Sequence, residues 1–281
     1  GERFTSAVGG QIEVEHLHLY LLARDFCRGK AVLDIASGEG YGSALLAQTA
    51  QNVVGIDINE SAVAHARKEF VRENLKYIIG NAQEISLEDD SIDVIVSFET
   101  IEHLENQDKF LSEVKRLLRK DGLLILSTPD KNIYSGEGCQ SNPFHIHEMS
   151  FDDFEKKLSL LFSHVSFLNQ RPFIGSGIIS HSSGEGIVVF DKARKEDIIS
   201  SEQLLNAPYI IAFASSAPLP EIKNSIYIAR DDLDTDMQER QQAEKRAIAA
   251  TTAYNDLQSQ FDLLKKQEKN ARDEMKRAST H

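Results

Sequence analysis

Two short segments of the chain hold the side chains best suited to move a proton. ETIEHL contains Glu99, Glu102 and His103, and NPFHIHEM contains His145 and His147. Histidine and carboxylate groups act as general bases when they reach the proton of a reacting hydroxyl group. Each segment comes after a predicted strand, so both are expected at the sheet edge where parallel strands end and ligands bind.

A metal ion is the alternative occupant of the second segment. His145, His147 and Glu148 offer nitrogen and oxygen ligands that zinc accepts, but zinc also needs a tetrahedral arrangement of its ligands. Magnesium prefers oxygen ligands. We therefore expect that the protein does not require a metal.

A glycine-rich turn is the third feature with chemical meaning. Within LDIASGEGYGSALLA, Asp34 precedes three glycines at alternate positions, Gly38, Gly40 and Gly42. A strand followed by such a turn presents backbone N–H groups to a ligand. The spacing departs from the G-x-G-x-x-G dinucleotide pattern, because the last glycine comes one position early. Asp34 would repel a phosphate about 4 Å away by roughly 4 kcal/mol at an effective dielectric near 20, which favours a cationic ligand without phosphates.

The elements that must position these residues alternate along the chain. From about residue 30 to 230, apolar runs of strand length are separated by helical patterns, which predicts an α/β protein with a doubly wound, mostly parallel sheet. The predicted strands are 31–35, 52–57, 76–79, 93–98, 123–127, 165–169, 186–190 and 209–215.

Residues 231–281 follow a different pattern. Glycine and proline disappear there, and apolar or alanine residues recur in a heptad frame, which predicts a coiled-coil helix. The alternative is an amphipathic helix that folds back on the main domain, residues 1–230. The heptad pattern runs to the end of the sequence, so we expect a longer natural protein.

Charge and cysteine content narrow the function classes. The net charge of −13 over 281 residues argues against a nucleic-acid substrate. No apolar run approaches the roughly 18 residues of a membrane span. Cys27 and Cys139 lie far apart, which fits a reducing compartment. The predicted location is the cytoplasm, including the inner face of the membrane if partner proteins hold the chain there.

The glycine-rich turn resembles motif I of class I S-adenosylmethionine (SAM) methyltransferases, an acidic residue followed by G-x-G-x-G. SAM carries a sulfonium and an ammonium group and no phosphate. The resemblance implies a seven-stranded Rossmann-like sheet, and it implies that Asp34 accepts a hydrogen bond from the amino-acid end of SAM. Ala36 stands where the family has glycine, and we expect its methyl group to be tolerated.

Four further segments resemble the same family in the expected order: VVGID, GNAQEI, DVIVSFETIEHL and LLRKDGLLILSTPD. The first implies that Asp57 binds the ribose diol. The second implies that Asn81, which replaces the usual aspartate, accepts a hydrogen bond from the adenine amino group. The cofactor-binding residues implied by the resemblance are Asp34, Ala36, Gly38, Gly40, Asp57, Ile58, Asn81, Ala82, Gln83, Ser97 and Glu99.

Methyl transfer to a hydroxyl group requires alignment of the acceptor and removal of its proton. In relatives of this type, the histidine equivalent to His145 faces the acceptor, so His145 is the first predicted base and His103 the second. Each could instead serve a structural role, by packing, capping or hydrogen bonding.

The N-terminal segment GGQIEVEHLHLYLLA resembles a lid over SAM. Glu13 and His16 share one helical face there, which either contacts the ligand or faces solvent. We also predict that His147 contacts the substrate or forms part of the lid.

The wider resemblance, which includes STPDKNIYS and NPFH, is to methyltransferase domains of bacterial surface-polysaccharide assembly proteins of the O-antigen and lipopolysaccharide type. It implies O-methylation of a sugar hydroxyl on a lipid-linked glycan, which would cap chain growth. It also implies a coiled-coil oligomer or linked glycosyltransferase domains as partners. The alternatives are a small-metabolite methyltransferase and a coiled-coil scaffold with vestigial SAM binding.

Overall fold

The chain divides into two units, Gly1–Tyr227 and Ile228–His281. In the second unit, which contains the predicted coiled coil, nearly all residues lie outside the described part of the chain, so that helix stays a prediction. The computed structural model describes residues 11–136, 142–173, 187–192 and 198–228, and the single residues 246 and 265.

The first unit alternates helices and strands as the sequence predicts. Its elements are, in chain order, α1 (Gln11–Arg24), β1 (Ala31–Ile35), α2 (Tyr41–Leu46), β2 (Asn52–Asp57), α3 (Glu60–Glu69), β3 (Leu75–Ile79), β4 (Ile92–Ser97), a 3-10 turn (Ile101–His103), α4 (Gln107–Leu117), β5 (Leu118–Pro129), α5 (Lys131–Tyr134), α6 (Phe151–Ser159), β6 (His164–Gln170), β7 (Val189–Lys192), β8 (Ile198–Ser201) and β9 (Tyr209–Ser215). Within the described ranges, no helix combines the length and the apolar character that a membrane crossing needs.

The central sheet has seven strands in the order β3-β2-β1-β4-β5-β9-β6. The first five strands of that order pair in parallel, and β9 pairs antiparallel with both β5 and β6. This arrangement confirms the predicted α/β class and the mostly parallel seven-stranded sheet. The predicted strand 186–190 overlaps β7, which lies outside this sheet and pairs with β8 in a separate hairpin.

Alternate residues of the central strands supply two hydrophobic clusters. Leu33 and Ile95 belong to one cluster, whereas their chain neighbours Val32 and Val94 belong to the other. Because successive side chains of a strand point to opposite faces, the clusters cover the two sides of the sheet. The first includes residues of α4 and α6, and the second includes residues of α1 and α2. Burial on both faces explains why these strands are continuously apolar.

The turn between β1 and α2 adopts left-handed backbone conformations. Ala36, Gly38 and Gly40 have φ values of 62°, 54° and 92°. A side chain at Gly40 would meet Ala66 at 2.6 Å and the Tyr77 ring at 2.7 Å. At Gly38 the corresponding space is open. Both glycines are therefore needed for backbone conformation, but only Gly40 is also needed for packing.

This difference yields a stability prediction. Gly38→Ala should lower the free energy of unfolding by about 1 kcal/mol, the cost of an L-residue in the left-handed region. Gly40→Ala should lower it by about 2–4 kcal/mol, because overpacking adds to the same backbone cost. Denaturant titration of both variants measures the difference, and equal losses would show that the packing at Gly40 does not constrain this turn.

Candidate functional site

The carboxyl ends of four neighbouring parallel strands form the edge that carries the candidate residues. Ile35 at the end of β1 is paired with Ile56 of β2 and with Ser97 of β4. Ser97 in turn is paired with Leu126 of β5. The loops that follow these strands are therefore neighbours, as the sequence predicts for a ligand site.

Asp34 lies beneath the glycine-rich turn rather than on its surface. Its side chain is 0% exposed. Its carboxylate accepts hydrogen bonds from the Ser43 hydroxyl at 2.5 Å and the Tyr20 hydroxyl at 3.1 Å. Burial raises the pKa of Asp34 to about 7, although these two hydrogen bonds lower it. Asp34 thus joins β1 to α1 and α2, and its direct contact with SAM stays a prediction.

Asp57 fixes the turn to the end of β2. One of its carboxylate oxygens accepts a hydrogen bond from the Gly38 N–H at 2.9 Å, and the other accepts one from the Asn59 N–H at 2.8 Å. A carboxylate oxygen can accept more than one hydrogen bond, so Asp57 retains the capacity to bind hydroxyl groups. Ala36 is exposed in the same turn. These features fit the predicted approach of a ligand to the turn.

An apolar and a polar surface adjoin at the ends of β2 and β3. Ile58 is 67% exposed, which is unusual for a large apolar side chain. The Gly80 N–H donates to the Asp57 carbonyl and so holds the next loop beside it. In that loop Asn81 is exposed, and its side-chain oxygen accepts a hydrogen bond from the Gln83 N–H at 2.9 Å. An exposed aliphatic side chain beside amide groups suits a flat heteroaromatic base, and Ala82 lies half-buried between them.

Ser97 and Glu99 differ in their access to this edge. Ser97 is 0% exposed, and its hydroxyl donates to the Ile35 carbonyl at 3.2 Å, so its side chain offers no surface to a cofactor. Glu99 is half-buried and has a φ of 48°, and its carboxylate accepts a hydrogen bond from the Ser127 hydroxyl at 2.6 Å. Burial, with the Glu15 carboxylate as a smaller cause, raises the pKa of Glu99 to about 7.

Glu102 holds the loop that carries His145. Its backbone carbonyl accepts hydrogen bonds from the N–H groups of Ile146 and His147 at 2.8 and 3.0 Å. Its buried carboxylate accepts a hydrogen bond from the Thr128 hydroxyl at 3.1 Å through Oε2. Burial and the nearby Glu99 raise the pKa of Glu102 well above its usual range.

His145 is held on both ring nitrogens. Nδ1 lies 2.5 Å from the Glu148 carboxylate, and Nε2 lies 2.8 Å from the Asn142 side-chain nitrogen. The Asn142 oxygen accepts a hydrogen bond from the Phe144 N–H, which fixes the orientation of the amide. Because the amide nitrogen donates, Nε2 of His145 is unprotonated and Nδ1 carries the hydrogen. The Tyr134 ring stacks on His145 at 5.3 Å between centroids.

The structure brings together His103 and His145, the two predicted bases. The rings of His103 and His145 meet edge to face, with centroids 4.9 Å apart. His147 is exposed. Ligand atoms of Glu102, His103 and His145 all lie within 4.8 Å of one another, a group that could hold a metal ion. The expectation that no metal is required stays a prediction.

Helix α1 contributes a residue that sequence analysis missed. Glu15 is 7% exposed and accepts a hydrogen bond from the Tyr209 hydroxyl at 3.3 Å. Burial lowers the pKa of His16 to about 4, so this histidine is neutral at neutral pH. For Glu13 the structure describes only the helical backbone, and its predicted ligand contact stays untested.

Other missed residues end strand β5 or follow it. The hydroxyl groups of Ser127 and Thr128 orient Glu99 and Glu102, and Tyr134 stacks on His145. The available signal was the polar STPD sequence at the carboxyl end of a buried strand, which is the usual place for ligand-facing groups.

Comparison with known families agrees with this geometry. Residues 33–126 match the sequence model of the methyltransferase domain family. This segment is therefore similar to methyltransferase domains. The match confirms the predicted cofactor, SAM.

Three curated relatives come from mycobacteria. A protein of Mycolicibacterium smegmatis, named a probable SAM-dependent methyltransferase, is 42% identical over 125 residues, which cover 44% of this chain and 48% of the relative. A protein of Mycobacterium tuberculosis with a corresponding name is 40% identical over 139 residues, 49% of this chain and 50% of the relative. A phthiotriol/phenolphthiotriol dimycocerosates methyltransferase of Mycobacterium ulcerans is 27% identical over 125 residues, 43% of this chain and 46% of the relative. The chain thus spans about half the length of these relatives.

Solved structures with the same fold are more distant in sequence. A SAM-dependent methyltransferase from Thermotoga maritima superimposes with a TM-score of 0.52 and 16% identity, over 73% of this chain and 91% of its own. The YcgJ protein from Bacillus subtilis does so with a TM-score of 0.50 and 19% identity, over 72% of this chain and all of its own. At this identity the similarity concerns the fold alone. The resemblance to O-antigen assembly proteins is not addressed by these relatives and stays a prediction.

The predicted contact of Asp57 with the ribose can be tested by SAM binding. Asp57→Asn should weaken SAM binding about 10- to 100-fold, because a hydrogen bond to a charged group contributes about 1.5–3 kcal/mol. The control is Asp93→Asn. Asp93 accepts from the Ala31 N–H at the amino ends of the strands, so its loss should leave affinity within about twofold. Calorimetric titration with SAM gives both values, and equal affinities for the two variants would exclude the role given to Asp57.

The buried carboxyl of Asp34 predicts a pH dependence of stability. Its pKa is about 7 in the folded protein and 3.8 as an ordinary value, so between these limits the folded state binds more protons than the unfolded state. This stabilisation is complete below about pH 4 and is lost as the pH rises through about 7, by up to about 1.4 kcal/mol per pH unit. The unfolding free energy of the natural chain minus that of Asp34→Asn should therefore fall over this range and level off above it. A difference that is constant with pH would contradict the raised pKa.

Proposed function

We propose that this protein transfers a methyl group from SAM to a sugar hydroxyl of a bacterial surface glycan, as its sequence resemblance suggests. The observation that carries the proposal is the His145–Glu148 pair beside the strand ends of the methyltransferase domain. In this pair an oriented imidazole lies at the edge of the sheet where SAM binds in this fold.

The residues of the turn and of the next two loops would hold the cofactor. Asp57 is oriented to accept hydrogen bonds from the ribose, and Ile58 offers an apolar surface to the adenine. Ala36 and Gly38 let the ligand approach the backbone of the turn. Bound SAM supplies a methyl group on a sulfonium, which is a good leaving group.

His145 is the group best placed to take the proton of the acceptor hydroxyl. The Glu148 carboxylate holds Nδ1–H and stabilises positive charge on the ring, as the carboxylate does in catalytic triads. The lone pair of Nε2 receives a hydrogen bond from Asn142, and an acceptor hydroxyl can take the place of that amide. His103 donates its own Nδ1 hydrogen to the Phe144 carbonyl at 2.8 Å, which supports a positioning role for this second candidate.

The polarity of the surroundings supports a saccharide acceptor. Tyr134 and Tyr209 lie with ring centroids 5.8 Å apart. Burial raises the pKa of the Tyr209 hydroxyl, and the nearby carboxylates of Glu15 and Glu99 raise it further. Carboxylates accept hydrogen bonds from several hydroxyl groups at once. A saccharide acceptor could add hydrogen bonds to Glu15 and Glu99, beyond those that they already accept from Tyr209 and Ser127.

A lipid acceptor is the second candidate. Phe144 and Ile146, on either side of His145, are 51% and 50% exposed, and the relative from M. ulcerans bears the name of a methyltransferase for dimycocerosates. The same apolar side chains would also suit the lipid part of a lipid-linked saccharide. The expected partners remain this acceptor and, through residues 231–281, a coiled-coil oligomer or a linked glycosyltransferase.

The acceptor class can be tested with methyl-labelled SAM. We expect the protein to add one methyl group to a lipid-linked saccharide and to a free oligosaccharide of the same sequence, as measured by mass spectrometry. A hydroxylated lipid without sugar is the third acceptor. Methylation of this lipid alone would favour the second candidate, and SAM binding without transfer to any saccharide would refute the proposal.

The role of His145 can be separated from folding and SAM binding. His145→Ala should lower kcat about 100-fold or more, because it removes the general base, and should leave SAM affinity within about twofold. The matched control is His164→Ala at the exposed start of β6, near the opposite edge of the sheet, which should retain activity. Full activity of His145→Ala would assign the proton transfer to another group.

A further inference from the structure

Glu102 carries a buried oxygen that the methyl-transfer proposal does not use. Its side chain is 0% exposed, and among the residues that the structure describes, Oε1 has no hydrogen-bond partner. The Thr128 hydroxyl holds the other oxygen, Oε2, and thereby fixes the direction of Oε1. A buried polar atom without a partner costs about 1–3 kcal/mol. A cation beside Oε1 would remove this cost.

Two histidines, His103 and His145, lie close to the Glu102 carboxylate. Nε2 of His103 lies 3.7 Å from Oε1 of Glu102, and one ligand atom from each of Glu102, His103 and His145 lies within 4.8 Å of the others. In a tetrahedral zinc site with bonds of about 2.0–2.1 Å, neighbouring ligand atoms are roughly 3.3 Å apart. Side-chain movements that displace the Asn142 amide from Nε2 of His145 would therefore bring the three atoms to bonding distance.

The hydrogen bonds behind the histidine rings resemble those of metal-binding histidines. Nδ1 of His103 lies 2.8 Å from the Phe144 carbonyl oxygen, which can only accept, so Nδ1 carries the hydrogen and Nε2 the lone pair. His145 has the same tautomer, with its Nδ1 hydrogen on the Glu148 carboxylate. A carbonyl or a carboxylate on the far nitrogen orients a ligating imidazole and raises its basicity.

We propose that Glu102, His103 and His145 form a binding site for a divalent transition-metal ion of the zinc type. Two imidazoles and one carboxylate match the ligand set that zinc uses when it keeps its fourth position open. Magnesium is disfavoured, because it prefers oxygen ligands. The site differs from the group that sequence spacing suggests, since His103 replaces His147.

The ion would compete with the acceptor. The lone pair of His145 cannot bind a metal and accept a proton at the same time, so bound zinc should inhibit methyl transfer. This consequence rests on the proposed function, whereas the metal site itself does not.

Calorimetric titration of the metal-stripped full chain, without an affinity tag, with Zn²⁺ tests the site. We expect one site in the natural chain and at least about 100-fold weaker binding in His103→Ala, since even the loss of an outer contact costs about 10- to 100-fold. The matched control, His147→Ala, should bind zinc like the natural chain. His103 is one-third exposed, so its replacement should leave the fold intact, which circular dichroism checks.

The outcomes distinguish the two proposals. Equal zinc affinity of His103→Ala and the natural chain would overturn the site, and so would a loss of binding confined to His147→Ala. The absorption spectrum of bound Co²⁺, which reports the coordination geometry, should also be lost in His103→Ala. If methyl transfer occurs, zinc should inhibit the natural chain and spare His103→Ala. If no acceptor is methylated, the titration still decides whether the metal site exists.

Discussion

The carboxylate of Asp34 is the interaction on which the cofactor edge depends. It lies at the centre of the sheet and receives hydroxyl groups from Tyr20 on α1 and Ser43 on α2, so that the helices on either side of the glycine turn share one buried acceptor. A buried carboxyl without these donors would be costly. The hydrogen bonds from Tyr20 and Ser43 stabilise Asp34 beneath the glycine-rich turn. Asp57 stabilises the same turn through the hydrogen bond that it accepts from the Gly38 N–H.

Glu102 is the residue that positions the loop proposed to face the methyl acceptor. Glu102 uses its backbone carbonyl to hold the His145 loop and its carboxylate to face the two histidines. The backbone bonds set the distance between the 3-10 turn and the loop, so the positions of the imidazoles follow from main-chain geometry. The proposed acceptor chemistry and the proposed metal site therefore depend on the same pair of hydrogen bonds.

The sequence predicted elements better than it predicted contacts. Continuous apolar runs such as 123–126 identified the parallel strands, because burial on both faces leaves a strong pattern. The start of β5 at Leu118, directly after α4, was not evident, since the polar residues there resemble a helix end. The pairing of His145 with His103 rather than His147 depends on the path of a loop, and no periodicity encodes that path. Glu15 was missed, although Glu13 and His16 were predicted beside it, because the sequence does not show which face of α1 is buried.

The position of β9 affects how the protein folds during its synthesis. In the described sheet β6 pairs with β9 alone, although β9 comes some forty residues later in the chain. During synthesis, β6 cannot pair within the sheet until residues 209–215 have left the ribosome. Until then β5 is the outer strand of the parallel part of the sheet, and one of its edges is unpaired. The unpaired N–H and C=O groups of such an edge can pair with a strand of another chain, which leads to aggregation. The interval between these strands, which contains the β7–β8 hairpin, therefore sets how long the nascent protein needs protection.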